Sequence, residues 1–182
     1  MRTRVGLFAA VLLLCAQGVF AQPAERKDLQ VFNDVAKAVN RYERFTIFDD
    51  ISADVKNGVV TLEGKVTMPY KSSDIEKRVA KVDGVSRVIN KVEVLPVSQW
   101  DDQLRYRIAR AIYGNSSFWN YAASANPPIH IIVDHGRVTL TGVVQSEVEK
   151  MLARSLVTQD GVLSVTNKLQ TAAEARDQLE KS

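Results

Sequence analysis

From residue 28 onward the chain runs twice through the same succession of hydrophobic periods. Val31, Val35 and Val39 recur at helical spacing, and Leu104, Ile108 and Ile112 repeat the pattern. Each run predicts an amphipathic helix, with Asp28 and Asp101 placed to cap its start. Alternation with a period of two follows. Ile51, Ala53, Val55 and then Val60, Leu62, Val66 flank Asn57-Gly58, while Ile129, Ile131, Val133 and then Val138, Leu140, Val144 flank His135-Gly136. Alternation on both sides of such a pair predicts a β-hairpin, because a type I′ turn needs positive φ at both central residues. Helical spacing returns at Ile75, Val79, Val82 and at Val148, Leu152, Leu156. Ser73 with Glu76 and Ser146 with Glu149 fit capping boxes that do not align, so one helix starts before its box. Gly84 and Gly161 are expected to stop these helices. Val85 to Val94 and Val162 to Leu169 then supply a closing strand.

The parallel between the halves is literal. "NGVVTLEG" at 57–64 is matched by "HGRVTLTG" at 135–142, "GVSRVINK" at 84–91 by "GVLSVTNK" at 161–168, and "VAKAV" at 35–39 by "IARAI" at 108–112. The order is kept, with offsets of 78, 77 and 73 positions. Two tandem copies of one unit follow. Each is α-β-β-α-β, an α+β fold with two helices packed on a three-stranded sheet. The expected boundaries are 28–96 and 101–171, with a leader at 1–21 and a tail at 172–182. The charged tail "AAEARDQLEKS" predicts a frayed helix or disorder. In the repeated octets the glycines and Val-Thr-Leu serve turn, register and core. They are scaffold, and they do not name a ligand.

Glycine-flanked Val-Thr-Leu followed by Gly-Val-x-x-Val-x-Asn, set between two helices, resembles the BON domain, the module named for bacterial osmotically inducible and nodulation proteins. The resemblance covers nearly all of 28–96 and 101–171. It implies a periplasmic, non-catalytic module linked to envelope or osmotic stress, with phospholipid binding or chaperone-like activity.

Composition changes the picture at the N-terminus. Arg2 and Arg4 precede an uncharged apolar run from Val5 to Phe20, and Val19-Phe20-Ala21 suits signal peptidase. The run predicts a cleavable signal peptide ending near Ala21, hence a periplasmic protein with no transmembrane segment in the mature chain. Lipidation at Cys15 is not expected, because the large Leu14 stands where a lipobox has a small residue. Loss of 1–21 takes two of the 24 basic residues and none of the 21 acidic ones, so the net charge falls from +3 to +1. A nucleic-acid partner is therefore not expected. Cleavage also removes the only cysteine, which leaves stability to packed cores.

Candidate chemistry is sparse. His130 and Asp134 share an outward strand face but sit four positions apart, and His135 occupies the turn, so the three or four convergent ligands of a metal site are missing and no metal or cofactor is expected. Ser, His and Asp form no recognisable catalytic motif, and no enzyme activity is expected. Asn90 and Asn167 recur at one position and read as residues that satisfy backbone groups. The clearest surface lies on the helix predicted over 101–113, where Tyr106, Arg110 and Tyr113 stack opposite the apolar face. Arg105 flanks them, Trp100 precedes the helix, and Trp119 follows in a loop longer than its first-copy counterpart. Aromatic and basic side chains together suit an anionic phospholipid surface. Such a face also fits protein clients at the envelope, solvent, or the other unit, because the linker "LPVSQW" keeps the copies close.

Overall fold

The computed structural model describes residues 27–124 and 126–181, so the expected signal peptide lies outside the described residues. The first unit runs α1 (Asp28–Asn40), β1 (Asp50–Lys56), β2 (Val59–Val66), α2 (Pro69–Val79) and β3 (Arg87–Val94). The second runs α3 (Gln99–Tyr113), a 3₁₀ turn (Ser116–Phe118), α4 (Trp119–Ala122), β4 (Ile129–Asp134), β5 (Arg137–Val144), α5 (Glu147–Val157), β6 (Ser164–Asn167), β7 (Gln170–Thr171) and α6 (Ala172–Lys181). The fold is α+β, with sheets of three and four strands. Among the described residues no helix is long and apolar enough to cross a membrane.

In each sheet the second strand of the hairpin is central. β2 is antiparallel to β1 and parallel to β3, and β5 is antiparallel to β4 and parallel to β6 and β7. A tight turn cannot join parallel neighbours, so α2 and α5 serve as crossovers and pack beside α1 and α3. The two cores fill largely from the positions that the periodicity marks, but α5 departs from it: Ala153 and Val157 are buried, Leu152 and Leu156 only partly so, and the expected Val148 is 68% exposed. Val31, Val35, Val60, Leu62, Ile75 and Val79 are fully buried in one, and Leu104, Ile108, Ile112, Leu140, Ala153 and Val157 in the other. Burial of each larger side chain contributes about 1.5–3 kcal/mol.

Both hairpins turn as expected, with φ of 51° and 73° at Asn57-Gly58 and 51° and 72° at His135-Gly136. The glycine that ends each octet answers a different demand. A Cβ on Gly64 would lie 2.1 Å from the Asp50 carbonyl oxygen, and one on Gly142 1.8 Å from that of Pro128. No side chain fits there, which explains the glycine at both ends of the repeated octet.

Several local expectations are corrected. Asp28 and Asp101 do not cap their own helices. Ser98 caps α3, its hydroxyl accepting from the Asp101 amide at 3.2 Å. The Asp28 carboxylate instead accepts from the amides of Asn57 (2.9 Å) and Gly58 (3.1 Å), and Asp101 accepts from His135 (2.8 Å) and Gly136 (2.9 Å). A two-oxygen acceptor meets two adjacent amides, which is worth more than a single cap bond. Ser73 lies inside α2, which starts at Pro69, whereas Ser146 does cap α5 by accepting from Glu149. Gly84 and Gly161 lie five and four residues beyond the ends of α2 and α5, and at φ of 89° and 91° they turn the loops into the closing strands. The second closing strand is split into β6 and β7. The tail begins as an ordered helix, because Thr171 and Glu174 form a reciprocal capping box.

The carboxylate clip yields a test. Asp101→Ala is expected to lower stability in urea by about 1.5–3 kcal/mol, the range for bonds to a charged group. Hydrogen exchange at the His135 and Gly136 amides should accelerate with it.

Candidate functional site

Helix α3 carries most of the candidate residues, and its buried face is wider than its apolar spacing indicates. Tyr106 and Arg110 are exposed as expected. Arg105 and Tyr113 are not. Arg105 is only 4% exposed; its Nη2 donates to the Val133 carbonyl at 2.6 Å and its Nη1 pairs with Asp102. The half-buried Tyr113 hydroxyl donates to the Ile129 carbonyl at 2.5 Å and accepts from the Ile129 amide at 3.2 Å. Burial pushes the Tyr113 phenol up, the bond from the Ile129 amide offsetting part of this. The reason for the correction is β4. Among the described residues no strand pairs with its outer side, and Arg105 and Tyr113 satisfy backbone groups there.

A third group on that edge is met by the first unit. The Ile131 amide donates to the Ile47 carbonyl at 2.6 Å, and His130 Nδ1 lies 2.6 Å from the Asp49 carbonyl oxygen. Ile47 and Phe48 pack against the core of the second unit, and the Phe48 ring meets Tyr106 edge-on at 5.3 Å. Lys65 pairs with Asp134 at 2.6 Å. His130 and Asp134 do share a face, and that face is the contact between the units. Tyr106, although exposed, borders the same contact.

The loop that reaches across is shaped by a buried carboxylate. Asp49 is fully buried and Lys71 is 4% exposed, with Lys71 Nζ 2.6 Å from Asp49 Oδ2. Oδ2 also accepts from the Thr46 amide (2.9 Å) and hydroxyl (2.7 Å), and Oδ1 from the Thr67 amide (2.8 Å) and hydroxyl (2.9 Å). Burial by itself would raise the Asp49 pKa. The bonds from Lys71, Thr67 and Thr46 outweigh it and hold the carboxyl below its ordinary range. Asn90 and Asn167 are structural ties: Asn90 donates to Ser72 and Glu76, and Asn167 donates to the Lys150 carbonyl at 2.8 Å.

The remaining candidates lie apart. Trp100 sits inside the first turn of α3, 59% exposed, with its ring against Gly161. A Cβ on Gly161 would be 3.0 Å from Trp100 Cζ2 and 3.2 Å from Arg107 Nη2, and Arg107 donates to the Asp160 carbonyl at 3.0 Å. Leu163, 75% exposed, meets Gly136 on the same tip. Leu163 was missed by the sequence reading; the signal was Ser86 at the matching outward position of the first copy. Trp119 is also exposed, but it follows the far end of α3, a helix about 22 Å long. The six candidates, Trp100, Arg105, Tyr106, Arg110, Tyr113 and Trp119, do not form one surface. Trp100, Arg107 and Leu163 do converge. Among the described residues no group of acids, histidines and cysteines could hold a metal ion.

A profile of the BON domain matches residues 30–96 and 101–173, one match over each α-β-β-α-β unit. The chain belongs to the BON domain family. BON domains are generally non-enzymatic binding modules, associated with phospholipid-binding and envelope proteins. No curated protein matches the chain. Among solved structures, the C-terminal domain of CdsD, the structural protein of the type III secretion system of Chlamydia trachomatis, is 14% identical over 79% of this chain, with a TM-score of 0.33. A second CdsD structure is 17% identical over 85% of this chain, with a TM-score of 0.31. The chain spans 66% of the first and 69% of the second.

Asp49 gives a pH-linked prediction for this BON pair. Asp49→Asn leaves Lys71 buried without its counter-charge and is expected to cost about 3–5 kcal/mol near neutral pH. Because the folded pKa is depressed, the wild-type advantage is present above about pH 3.9 and lost as pH falls through the folded value. Denaturation of both proteins at pH 7 and in the acid limb measures it.

Proposed function

We propose that the protein is an exported, non-enzymatic binding protein of the periplasm that associates with anionic phospholipid at the envelope surface in envelope or osmotic stress. One observation carries this reading: Trp100, Leu163 and Arg107 stand together at one tip of the second BON domain, the first two largely exposed. An indole settles at headgroup depth, a leucine reaches the acyl boundary, and a guanidinium pairs with phosphate. Arg110 and Tyr106 extend the basic and aromatic character along the same helix. Export rests on the signal-like residues 1–21, and the family association with envelope proteins supports the location.

A second reading, a periplasmic chaperone or adaptor for protein clients, draws on Val148 and Met151. These exposed apolar side chains stand three positions apart on α5. Adjacent apolar groups with a flexible thioether suit varied protein surfaces.

Cosedimentation separates the two. Binding to phosphatidylglycerol-rich vesicles should exceed binding to phosphatidylcholine vesicles and weaken as salt rises. Replacing Trp100, Arg107 and Leu163 by Ser, Gln and Ser should weaken it by about tenfold or more, from lost apolar insertion and one lost basic contact. Leu163→Ser alone guards against a folding defect at the Gly161 contact. Tyr113→Phe should instead lower stability and leave vesicle binding of the folded protein unchanged. Equal binding by the triple variant removes the phospholipid reading, and suppression of client aggregation then becomes the relevant assay.

A further inference from the structure

The first BON domain carries a basic cleft on its two helices. It lies where the C-terminal ends of α1 and α2 come together, has a volume of about 610 Å³, and is lined by Arg41, Tyr42, Asp74, Lys77, Arg78 and Lys81. Tyr42 is buried beside it and donates its hydroxyl to Asp74 at 2.8 Å, so the one carboxylate of the cleft is already engaged. The Arg78 guanidinium stacks over the Tyr42 ring at 4.9 Å, which fixes its plane at the cleft. Among the described residues no ion pair engages Arg41, Lys77, Arg78 or Lys81.

Cations at helix C-termini answer the helix dipole, and that accounts for part of the cluster. It does not account for all of it. Two helix ends supply about half a negative charge each. Against them stand four cations and one carboxylate, so the cleft keeps an excess of about two positive charges. The internal repeat supplies an independent argument. The buried positions Ile75 and Val79 correspond to Ala153 and Val157, and this register aligns Asp74, Lys77, Arg78 and Lys81 with Leu152, Ser155, Leu156 and Gln159. The offset of the first helices aligns Arg41 and Tyr42 with Gly114 and Asn115. The second copy thus builds the same fold with no charge at any of the six positions. The cations are not needed by the scaffold, and the helix ends and Asp74 offset only part of their charge.

We propose that the cleft between the ends of α1 and α2 is a binding site for a phosphate-bearing anion, with Arg41, Lys77, Arg78 and Lys81 as its donors. The planar fork of Arg78, held on Tyr42, suits two-point recognition of phosphate oxygens, while the lysines and Arg41 add charge from the rim. The site is separate from the Trp100 tip and holds whether or not that tip meets a membrane.

The test is an amide NMR titration of the mature full-length protein with inorganic pyrophosphate, against sodium chloride of matched ionic strength. Saturable shifts are expected at Arg41, Tyr42 and 74–81, with little change in the second domain. Lys77→Gln, Arg78→Gln and Lys81→Gln together should weaken binding by about tenfold or more, because each bond between charged partners is worth about that factor. If phosphatidylglycerol vesicles displace pyrophosphate, the natural anion is a lipid headgroup. If they do not, it is a soluble phosphate compound, and either result supports the site. The proposal is overturned if pyrophosphate moves these resonances no more than chloride does, or if the triple variant binds unchanged. Trp100→Ser should leave the titration unaltered, which keeps failure here distinct from failure of the membrane reading.

Discussion

An unpaired strand edge is a row of backbone donors and acceptors that must find partners, and the outer edge of β4 is the constraint around which the second BON domain is organised. Alternate residues present their backbone groups to that side, and three in succession are met by three different means: Ile129 by the Tyr113 hydroxyl, Ile131 by the Ile47 carbonyl, and Val133 by Arg105. Leaving one such group buried and unpaired costs about 1–3 kcal/mol. The width of the buried face of α3, the presence of a buried arginine on it, and the docking of the first domain all follow from covering this edge.

The docking loop has to arrive in a defined shape, and Asp49 supplies it. Its two oxygens gather the start of the loop at Thr46, the end of β2 at Thr67 and the first turns of α2 at Lys71. A buried ion pair adds little net stability over a packed apolar pair. Its contribution here is geometric: it fixes where the Ile47 and Asp49 carbonyls point, which is toward Ile131 and His130 of the other domain.

Much of the fold was legible because it is written in local spacing. Val31, Val35 and Val39 declare a helix face, and the alternation about Asn57-Gly58 declares a hairpin and its turn type. What was not legible depends on partners distant in the chain. Asp28 looks like a cap because capping is the local use of such a residue; its true partners are 29 and 30 positions away. Arg105 and Tyr113 look like surface residues because polarity is read as exposure, whereas a strand edge is polar and can bury polar side chains. The candidate site suffered more than the fold for this reason. Helical phase alone put Tyr106, Arg110 and Tyr113 on one stripe, but β4 claims Tyr113 and the first domain approaches Tyr106. The Trp100, Arg107 and Leu163 cluster needed two glycine-containing turns to be brought together in space.

Because Ile47 and Phe48 of the first domain complete the core of the second, the two copies are not beads on a string. Disorder in the 45–49 loop would strip a hydrophobic cover and a strand-edge bond from a domain that begins some fifty residues later. Damage is therefore transmitted from the first copy to the second, and the free energies of the two do not add as those of independent modules would. Duplication has produced a protein whose halves are alike in plan but dependent in stability, with the earlier half acting as a lasting intramolecular partner to the later one.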